Sequence, residues 1–265
     1  MTVLVFGANG LLGSHICALF PDFTIPLSHT HCDIMDRGQV RSAIKRHNPF
    51  AVINCAGVVK GRTGGWEVNS DGPKRIAEVC SDEDVRLVHV STDCVFSGLH
   101  GPYDETSQPT PDDEYGESKL DGEISYLPHL TVRTSFVGWP DPQGRGLLHW
   151  FVNSSDPCQG YVNALWNGLT TVALAEILVD LAYSPDVTGL RHVFGEDISK
   201  YDLLKTFSDV YRIHHKLEPF GEYVIDRRLR SIYNDVQQTH QTFVEMVEEM
   251  RGVEWKIYKY LSQSQ

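Results

Sequence analysis

Tyr115 and Lys119 are the residues whose types and spacing most directly suggest chemistry. They stand four residues apart in a segment that favours a helix, so both side chains point to the same side. An ammonium roughly 4 Å from a phenol stabilises the phenolate by up to about 4 kcal/mol at an effective dielectric near 20. The tyrosine pKa would fall by about 2–3 units, making it a proton donor near neutral pH. Because this spacing also arises by chance on amphipathic helices, other residues must decide.

Apolar strand-like runs alternate with helical patterns along the first half of the chain. The predicted strands are 2–6, 23–27, 50–54, 86–91 and 130–138, and the predicted helices are 12–20, 38–47, 66–81 and 115–127. Continuous apolar strands alternating with helices indicate a parallel sheet covered on both faces. The sequence therefore predicts an α/β fold with a doubly wound sheet, in which the helix 115–127 carries the Tyr115–Lys119 pair.

A glycine-rich stretch lies directly between the first predicted strand and the first predicted helix. Its spacing is Gly-x-x-Gly-x-x-Gly, and glycines there permit a tight turn and a close backbone approach to a pyrophosphate at the helix N-terminus. The predicted phosphate-binding residues are Gly7, Asn9, Gly10, Leu11, Leu12 and Gly13. The alternative is an ordinary strand-to-helix turn, but the position after an N-terminal apolar strand favours a dinucleotide.

The end of the second predicted strand bears on which dinucleotide binds. The fingerprint expects an acid there to hold a ribose hydroxyl, whereas this chain has Ser28 and His29, which could bind a 2′-phosphate. We therefore expect NADPH, with NADH as an option if these residues only form a polar loop. Asp33 and Ile34 are expected to face the adenine, although Asp33 could instead cap the following helix.

Small residues follow the third predicted strand. Cys55, Ala56 and Gly57 would let a cofactor lie across the carboxyl edge of the sheet, where open α/β sheets bind ligands. An ordinary strand-end turn is the alternative.

The pattern loosens after about residue 138, where a turn-rich stretch begins at 139–144. Helices are predicted at 147–153, 171–183, 199–213 and 238–250, and a strand at 190–194. We predict a dinucleotide-binding domain over 1–138, joined by 164–195. Residues 139–163 and 196–265 would form a smaller, interleaved C-terminal lobe that binds the substrate.

Composition excludes several classes of partner. The 265-residue chain has a formal net charge of −12 and a pI near 5.4, which argues against nucleic acid or an anionic membrane surface. No apolar stretch is long enough for a membrane span, and no basic leader precedes the first strand. The six cysteines are scattered, which predicts reduced thiols of a cytoplasmic protein. The histidines lack zinc-ligand spacing, so we predict no metal.

Taken together, the motifs resemble those of extended short-chain dehydrogenases/reductases, in the same order along the chain. The matching stretches are 7–13, 33–36, 54–57, 91–98, 115–123 and 133–136, with looser similarity at 167–171 and 189–193. The element Ser-Thr-Asp-x-Val-Phe-x-Gly at 91–98 resembles the dTDP-4-dehydrorhamnose reductase branch in particular. The resemblance implies a Rossmann-type sheet and a nucleotide-linked 4-keto-6-deoxy sugar as the substrate.

The resemblance also implies a role for each matching residue. Thr92 would hydrogen-bond the substrate C4 oxygen, with Ser91 as a substitute and a cofactor neighbour. Tyr115 would donate the proton, and Lys119 would bind the nicotinamide ribose and lower the pKa of Tyr115. The remaining matches are Ser135 near the nicotinamide and Val95, Phe96 and Phe136 on the sugar side.

Departures from the family pattern lie around the expected sugar site. Cys94 stands where the family usually has tyrosine, and Phe136 stands where many members have tryptophan. The loop after Gly57 is short and basic and contains Lys60 and Arg62. These changes bear on which sugar binds more than on the chemistry.

A local basic cluster at 226–230 interrupts the acidic chain. Arg228 is our candidate for binding the diphosphate of a nucleotide sugar, since a guanidinium matches phosphate geometry. Lys60 and Arg62 are secondary candidates, and a solvated face paired with acids is the alternative. Trp166 could line the lobe interface or simply belong to the core.

The sequence therefore predicts an NADPH-dependent reductase of a nucleotide-linked 4-keto-6-deoxy sugar, serving surface polysaccharide or deoxysugar biosynthesis. A nucleotide-sugar epimerase or dehydratase on the same fold is one alternative, although no acid pair directly follows Thr92. A non-catalytic NADP-binding regulatory subunit is another, against which Thr92, Tyr115 and Lys119 argue. A homodimer is compatible with each.

Overall fold

A six-stranded parallel sheet forms the centre of the protein. The computed structural model describes residues 1–59, 65–154, 157–236 and 238–263. The strands are β1 Val3–Phe6, β2 Thr24–Leu27, β3 Ala51–Asn54, β4 Arg86–Val90, β5 Leu130–Arg133, β6 Phe136–Val137, β7 Cys158–Trp166, β8 Leu169–Thr170, β9 Gly189–His192, β10 Ile198–Ser199 and β11 Leu217–Asp226. The helices are α1 Leu11–Leu19, α2 Arg37–His47, α3 Glu67–Asp82, α4 Glu114–Asp121, α5 Leu147–Asn153, α6 Thr171–Ala182, α7 Lys200–Tyr211 and α8 Phe243–Gln263.

The first strand shows why the sheet is covered on both faces. Its residues alternate between two hydrophobic cores: Val3 and Val5 belong to the core with α1, α6 and α8, whereas Leu4 and Phe6 belong to the core with α2 and α3. All four are fully buried. Side chains of a strand point alternately to opposite faces, so a continuous apolar run fits a sheet between two helical layers.

The strand order places a ligand crevice beside β1. The order is β2-β1-β3-β4-β5-β9, and every pairing in this sheet is parallel. The chain moves to one side of β1 for β2 and to the other side for β3, so the loops after β1 and β3 diverge from a topological switch point. Open α/β sheets bind ligands at the carboxyl edge at such a point.

A smaller three-stranded sheet forms the second part of the fold. It has the order β10-β7-β11, with β7 antiparallel to β10 and parallel to β11. The helix α7 packs on β7 and α5 packs on α7, while β6 and β8 form a separate two-stranded pair. Between β8 and β10 the chain returns to the large sheet through α6 and β9. The last helix, α8, packs on both α1 and α7 and so joins the two parts.

Three sequence-based element predictions were wrong in extent. The strand 130–138 ends at Arg133 because the backbone changes partner: Asp93 N donates to Thr134 O, and Leu169 N donates to Ser135 O. The helix 115–127 ends at Asp121, where Gly122 packs closely on the α3 backbone. The helix 238–250 instead runs over Phe243–Gln263, because Thr242 and Glu245 form a capping box.

The long strands β7 and β11 were not predicted. Half of the β11 residues are exposed, and neither strand contains a continuous apolar run.

Among the described residues, no helix combines the length and apolar character that crossing a membrane requires.

Candidate active site

The glycine loop brings the first strand, the first helix and the loop after β3 into contact. Gly7 has a φ of +78°, and a Cβ on it would lie 2.6 Å from Ala56 N. A Cβ on Gly13 would lie 2.3 Å from Gly7 O, so only glycine lets α1 begin against the loop. Gly10 N donates to Gly7 O at 2.9 Å.

Three predicted phosphate-binding residues form the first turn of α1. The amides of Leu11, Leu12 and Gly13 have no intrahelical acceptor, and no side chain of the described residues caps this N-terminus. Asn9 is exposed in the turn before it. The structure therefore brings the six predicted residues together in one turn, and the amides of the first turn of α1 suit a pyrophosphate.

No carboxylate ends β2, as the sequence indicates. Ser28 is buried, and its hydroxyl contacts the side chains of Thr30 and His31 at 2.7 and 2.8 Å, whereas His29 is exposed. Asp33 accepts a hydrogen bond from Met35 N, and the cap of α2 is Asp36 instead. Ile34 is buried against Gly72 on α3. Whether these residues bind an adenosine stays a prediction.

Asn69, which the sequence analysis missed, holds the loop after β3. Its Oδ1 accepts from Val58 N at 2.8 Å, and its Nδ2 donates to Val58 O at 2.9 Å and to Ser118 Oγ at 3.1 Å. A Cβ on Gly57 would lie 2.8 Å from Asn69 Oδ1. The stretch of Cys55, Ala56 and Gly57 is thus fixed to α3 and α4. A lone asparagine within a predicted helix offered no signal for this.

The helix α4 is short and closely packed. Asp113 caps it by accepting from Gly116 N at 2.8 Å. A Cβ on Gly116 would lie 2.3 Å from Cys94 O, and a Cβ on Gly122 would lie 2.0 Å from Asn69 O. The two glycines therefore let α4 lie directly against the 3₁₀ turn Asp93–Val95 and against α3.

This packing brings the three predicted catalytic side chains to the same edge of the sheet. The Tyr115 side chain lies close enough to the Thr92 side chain for Thr92 to act against the burial that raises the pKa of Tyr115. Thr92 Oγ1 accepts from Cys94 N at 3.2 Å and so caps the 3₁₀ turn. One helical turn after Tyr115, Lys119 is buried and its Nζ donates to Val90 O at 2.7 Å.

The pKa values around this trio depart from the prediction in one respect. Burial, with Cys94 nearby, raises the pKa of Tyr115 instead of lowering it. Burial lowers the pKa of Lys119 to about 8, against smaller opposing effects of Glu123 and Cys55. The prediction that Lys119 lowers the Tyr115 pKa is therefore not met in this structure, because the ammonium bonds a strand carbonyl and desolvation dominates the phenol.

A cavity of about 1180 Å³ separates this edge from the second part of the fold. Asp93, Cys94 and Ser135 line it on the side of the large sheet. Trp166, Lys200 and Arg227 line it on the other side. Tyr115 and Thr92 are not among the described residues that line the cavity, but Cys94 is, and it contacts both Thr92 Oγ1 and the turn of α4 that carries Tyr115.

The predicted sugar-side residues do not line that cavity. Val95 and Phe96 are fully buried in a small core cluster with Tyr103 and Leu229. Phe136 is half-buried in β6. These three side chains support the turn and the strand beside the cavity, and their contact with a sugar stays a prediction.

The two serines predicted near the nicotinamide have other partners. Ser91 is buried, and its hydroxyl donates to Glu123 Oε1 at 2.7 Å. Ser135 Oγ accepts from Trp166 Nε1 at 2.8 Å, and its side chain acts against the burial that raises the pKa of Asp93. Trp166 thus lines the cavity and links it to the large sheet.

Arg228 lies in an ion-pair network beside the cavity. It pairs with Asp226 and with Asp197, each at 2.7 Å, and Arg230 pairs with Asp197 as well. The neighbouring Arg227 is the arginine of this cluster that lines the cavity. Lys60 and Arg62, the secondary candidates, lie outside the described residues.

The comparisons agree with this architecture. The model of the family described as RmlD substrate binding domain matches residues 1–224. A dTDP-4-keto-6-deoxy-D-glucose reductase of Streptomyces niveus is 37% identical over 149 residues, which are 51% of this chain and 52% of that protein. A dTDP-4-dehydrorhamnose reductase of Mycobacterium tuberculosis is 35% identical over 153 residues, 51% of this chain and 50% of that protein. The chain thus spans about half the length of these curated relatives.

A solved structure extends the similarity of fold to nearly the whole chain. The dTDP-4-dehydrorhamnose reductase of Bacillus anthracis, crystallised in complex with NADP, superposes with a TM-score of 0.79 at 20% identity. The alignment covers 94% of this chain and 98% of that one.

Proposed function

Because the chain belongs to the RmlD substrate binding domain family, we propose that it is an NADPH-dependent reductase of a nucleotide-linked 4-keto-6-deoxy sugar, in deoxysugar or surface polysaccharide biosynthesis. The observation that carries the proposal is the meeting of Tyr115 and Thr92 beside the cavity, with Lys119 one turn away. The relatives named as reductases of dTDP-linked sugars support it.

The residues fit a dinucleotide, since a Cβ at Gly7 or Gly13 would close the turn and the amides of Leu11 and Leu12 are free. The amides of α1 would hold the pyrophosphate, and Ser28 and His29 the ribose 2′-phosphate. Asp33 and Ile34 would lie near the adenine. The loop of Cys55, Ala56 and Gly57 would lie along the cofactor, with Ser91 and Ser135 near its nicotinamide end. Bound NADPH supplies the hydride that reduces C4.

The chain's own residues supply the proton that the C4 oxygen receives. Tyr115 transfers its hydroxyl proton to the C4 oxygen, and Thr92 donates a hydrogen bond to the same oxygen. Lys119, whose pKa is lowered to about 8 by burial, would bind the nicotinamide ribose one helical turn from Tyr115. General acid catalysis of this kind contributes about 10²–10⁴-fold to a rate. Closure by the second part of the fold would exclude water from this end of the cavity.

The direct test is NADPH oxidation with dTDP-, GDP- and UDP-linked 4-keto-6-deoxy sugars. We expect one nucleotide sugar to be reduced, and Tyr115→Phe to lower kcat by at least about 100-fold while NADPH binding changes little. Unchanged turnover in Tyr115→Phe contradicts the assigned role. Tightly bound oxidised cofactor without net NADPH consumption supports an epimerase or dehydratase instead. A stoichiometric protein partner without any turnover supports the regulatory subunit.

A cytoplasmic location and a homodimer complete the proposal. All six cysteines are free thiols, as expected in a reducing compartment. Trp255 and Tyr258 on α8 are 60% and 49% exposed, which offers an apolar surface for a second copy. Light scattering across a range of concentrations tests the dimer, and a monomer throughout contradicts it.

A further inference from the structure

Lys200 has an unusual position for a lysine. It is the first residue of α7, after the cap Ser199, where the helix dipole is positive and a cation is disfavoured. Its ammonium lies 4.4 Å from the centroid of the Trp166 ring, in the wall of the cavity. Desolvation by this packing lowers the pKa of Lys200 to about 8. Burial, the helix dipole and the neighbouring Arg227 therefore all disfavour the charged form of Lys200.

The described residues do not satisfy this ammonium. None of them accepts a hydrogen bond from Lys200 Nζ or forms a direct ion pair with it, although Asp93 acts on it electrostatically. Asp93 is itself buried and already accepts hydrogen bonds from Thr92 Oγ1 at 3.3 Å and from Cys94 Sγ at 3.6 Å. A cation packed on one face by an aromatic ring and open on the other to a cavity is arranged to receive an anion.

Arg227 lies beside Lys200 and also keeps donor capacity. Its Nη2 binds Asp112 at 3.0 Å, but its Nη1 contacts only the Cys94 thiol, at 3.5 Å, which is a weak acceptor. Its Nε is buried and has no partner among the described residues. Both Lys200 and Arg227 act on the pKa of Asp93, so the two cations flank the same end of the cavity.

We propose that Lys200 and Arg227 together bind an oxyanion of the substrate at the Cys94 end of the cavity. This rests on the proposed function, which supplies a nucleotide sugar as the occupant. Two groups on a nucleotide sugar have this chemistry: the diphosphate, which every such molecule carries, and the C6 carboxylate of a uronate, which a 6-deoxy sugar lacks. Arg227 offers its Nη1 donors and Lys200 a point charge, so that the two cations together neutralise the oxyanion.

Calorimetric titration measures the proposed site without turnover. We compare the wild type, Lys200→Gln and Arg227→Gln, with Lys205→Gln as the matched control, because Lys205 is an exposed lysine of the same helix. The ligands are dTDP, GDP and UDP, then UDP-glucose against UDP-glucuronate. Losing one charge-assisted hydrogen bond weakens binding by about 10- to 150-fold. We expect that loss for both cavity variants and none for Lys205→Gln.

The ligand series identifies the oxyanion. Equal losses for nucleoside diphosphates and UDP-glucose assign the diphosphate. A loss confined to UDP-glucuronate assigns a sugar carboxylate and contradicts the 6-deoxy sugar of the proposed function. If Lys200→Gln binds every ligand as the wild type does, or if the wild type binds none, the inference is overturned. Arg228→Gln distinguishes the neighbouring arginine: a loss there with none in Arg227→Gln also overturns it. Binding with no reduction of any 4-keto sugar contradicts the proposed function alone.

Discussion

Asn69 on α3 donates a hydrogen bond to Ser118 on α4 at 3.1 Å, and this contact fixes the loop after β3 relative to α4. Ser118 Oγ in turn donates to Tyr115 O at 2.8 Å. The position of Tyr115 therefore depends on an asparagine that lies outside the predicted catalytic trio.

Replacing that asparagine should loosen both elements. Asn69→Ala leaves the amide and carbonyl of Val58 without their buried partner, so we expect the free energy of unfolding to fall by about 2–3 kcal/mol. The rate of turnover should fall as well, because Tyr115 loses its fixed position. Urea denaturation measures the first effect, and the exposed Asn163 provides the control variant Asn163→Ala. Equal stability of the two variants would argue against this coupling.

Gly13 should be the glycine of α1 that cannot be replaced. A Cβ there would lie 2.3 Å from Gly7 O, so Gly13→Ala must displace the turn that presents the free amides. We expect NADPH affinity, measured by fluorescence titration, to fall by more than about tenfold. On α8, a Cβ at Gly252 would meet nothing within 4 Å. Gly252→Ala should therefore stabilise the protein by about 0.5–1 kcal/mol and leave NADPH affinity unchanged.

Lys119 should make stability rise with pH in the alkaline range. Its pKa is about 8 in the folded protein against an ordinary value of 10.5, so between these values the unfolded chain binds more protons. The free energy of unfolding therefore rises with pH in this window, by about 3 kcal/mol in total. The comparison is with Lys119→Met, whose stability should lack this rise. Denaturation of both proteins at pH 7, 8, 9 and 10 measures the difference, and parallel curves would contradict it.

Ser28 should control the choice between the two nicotinamide cofactors. Ser28→Asp places a carboxylate at the end of β2, where it would repel a 2′-phosphate and accept from a ribose hydroxyl. We expect the KM for NADPH to rise about tenfold, which corresponds to about 1.4 kcal/mol, with little change for NADH. Ser28→Ala removes the hydroxyl without adding charge and serves as the control. A KM for NADPH that stays unchanged in Ser28→Asp would remove Ser28 from the cofactor site.

The sequence pattern was sufficient to predict the elements whose conformation depends only on neighbouring residues. The run Val3–Phe6 had to be a buried strand, and glycines at 7, 10 and 13 had to form the turn that follows it. The Tyr115–Lys119 pair is also local, because four residues complete about one helical turn. These features predicted the α/β sheet and the approximate place of Tyr115 and Lys119 in it.

Side-chain surroundings could not be derived in the same way. The family resemblance of the motif at 91–98 implies that Val95 and Phe96 face the sugar. In the structure both side chains pack in a core cluster with Leu229, which is distant in the chain. Arg228 and Arg227 are adjacent and chemically identical, and only the paths of β11 and the following segment place Arg227 in the cavity wall and Arg228 among carboxylates.

The sequence by itself determined the sheet, the glycine turn after β1 and the spacing of Tyr115 and Lys119, because these follow from periodicity and backbone sterics over a few residues. Only the tertiary structure decided the direction in which the Tyr115 pKa shifts, the contact of Asn69 with α4 and the presence of Lys200 in the cavity wall. Burial and charge depend on residues brought together from distant parts of the chain, and desolvation at such a meeting point can reverse what a neighbouring charge alone would predict.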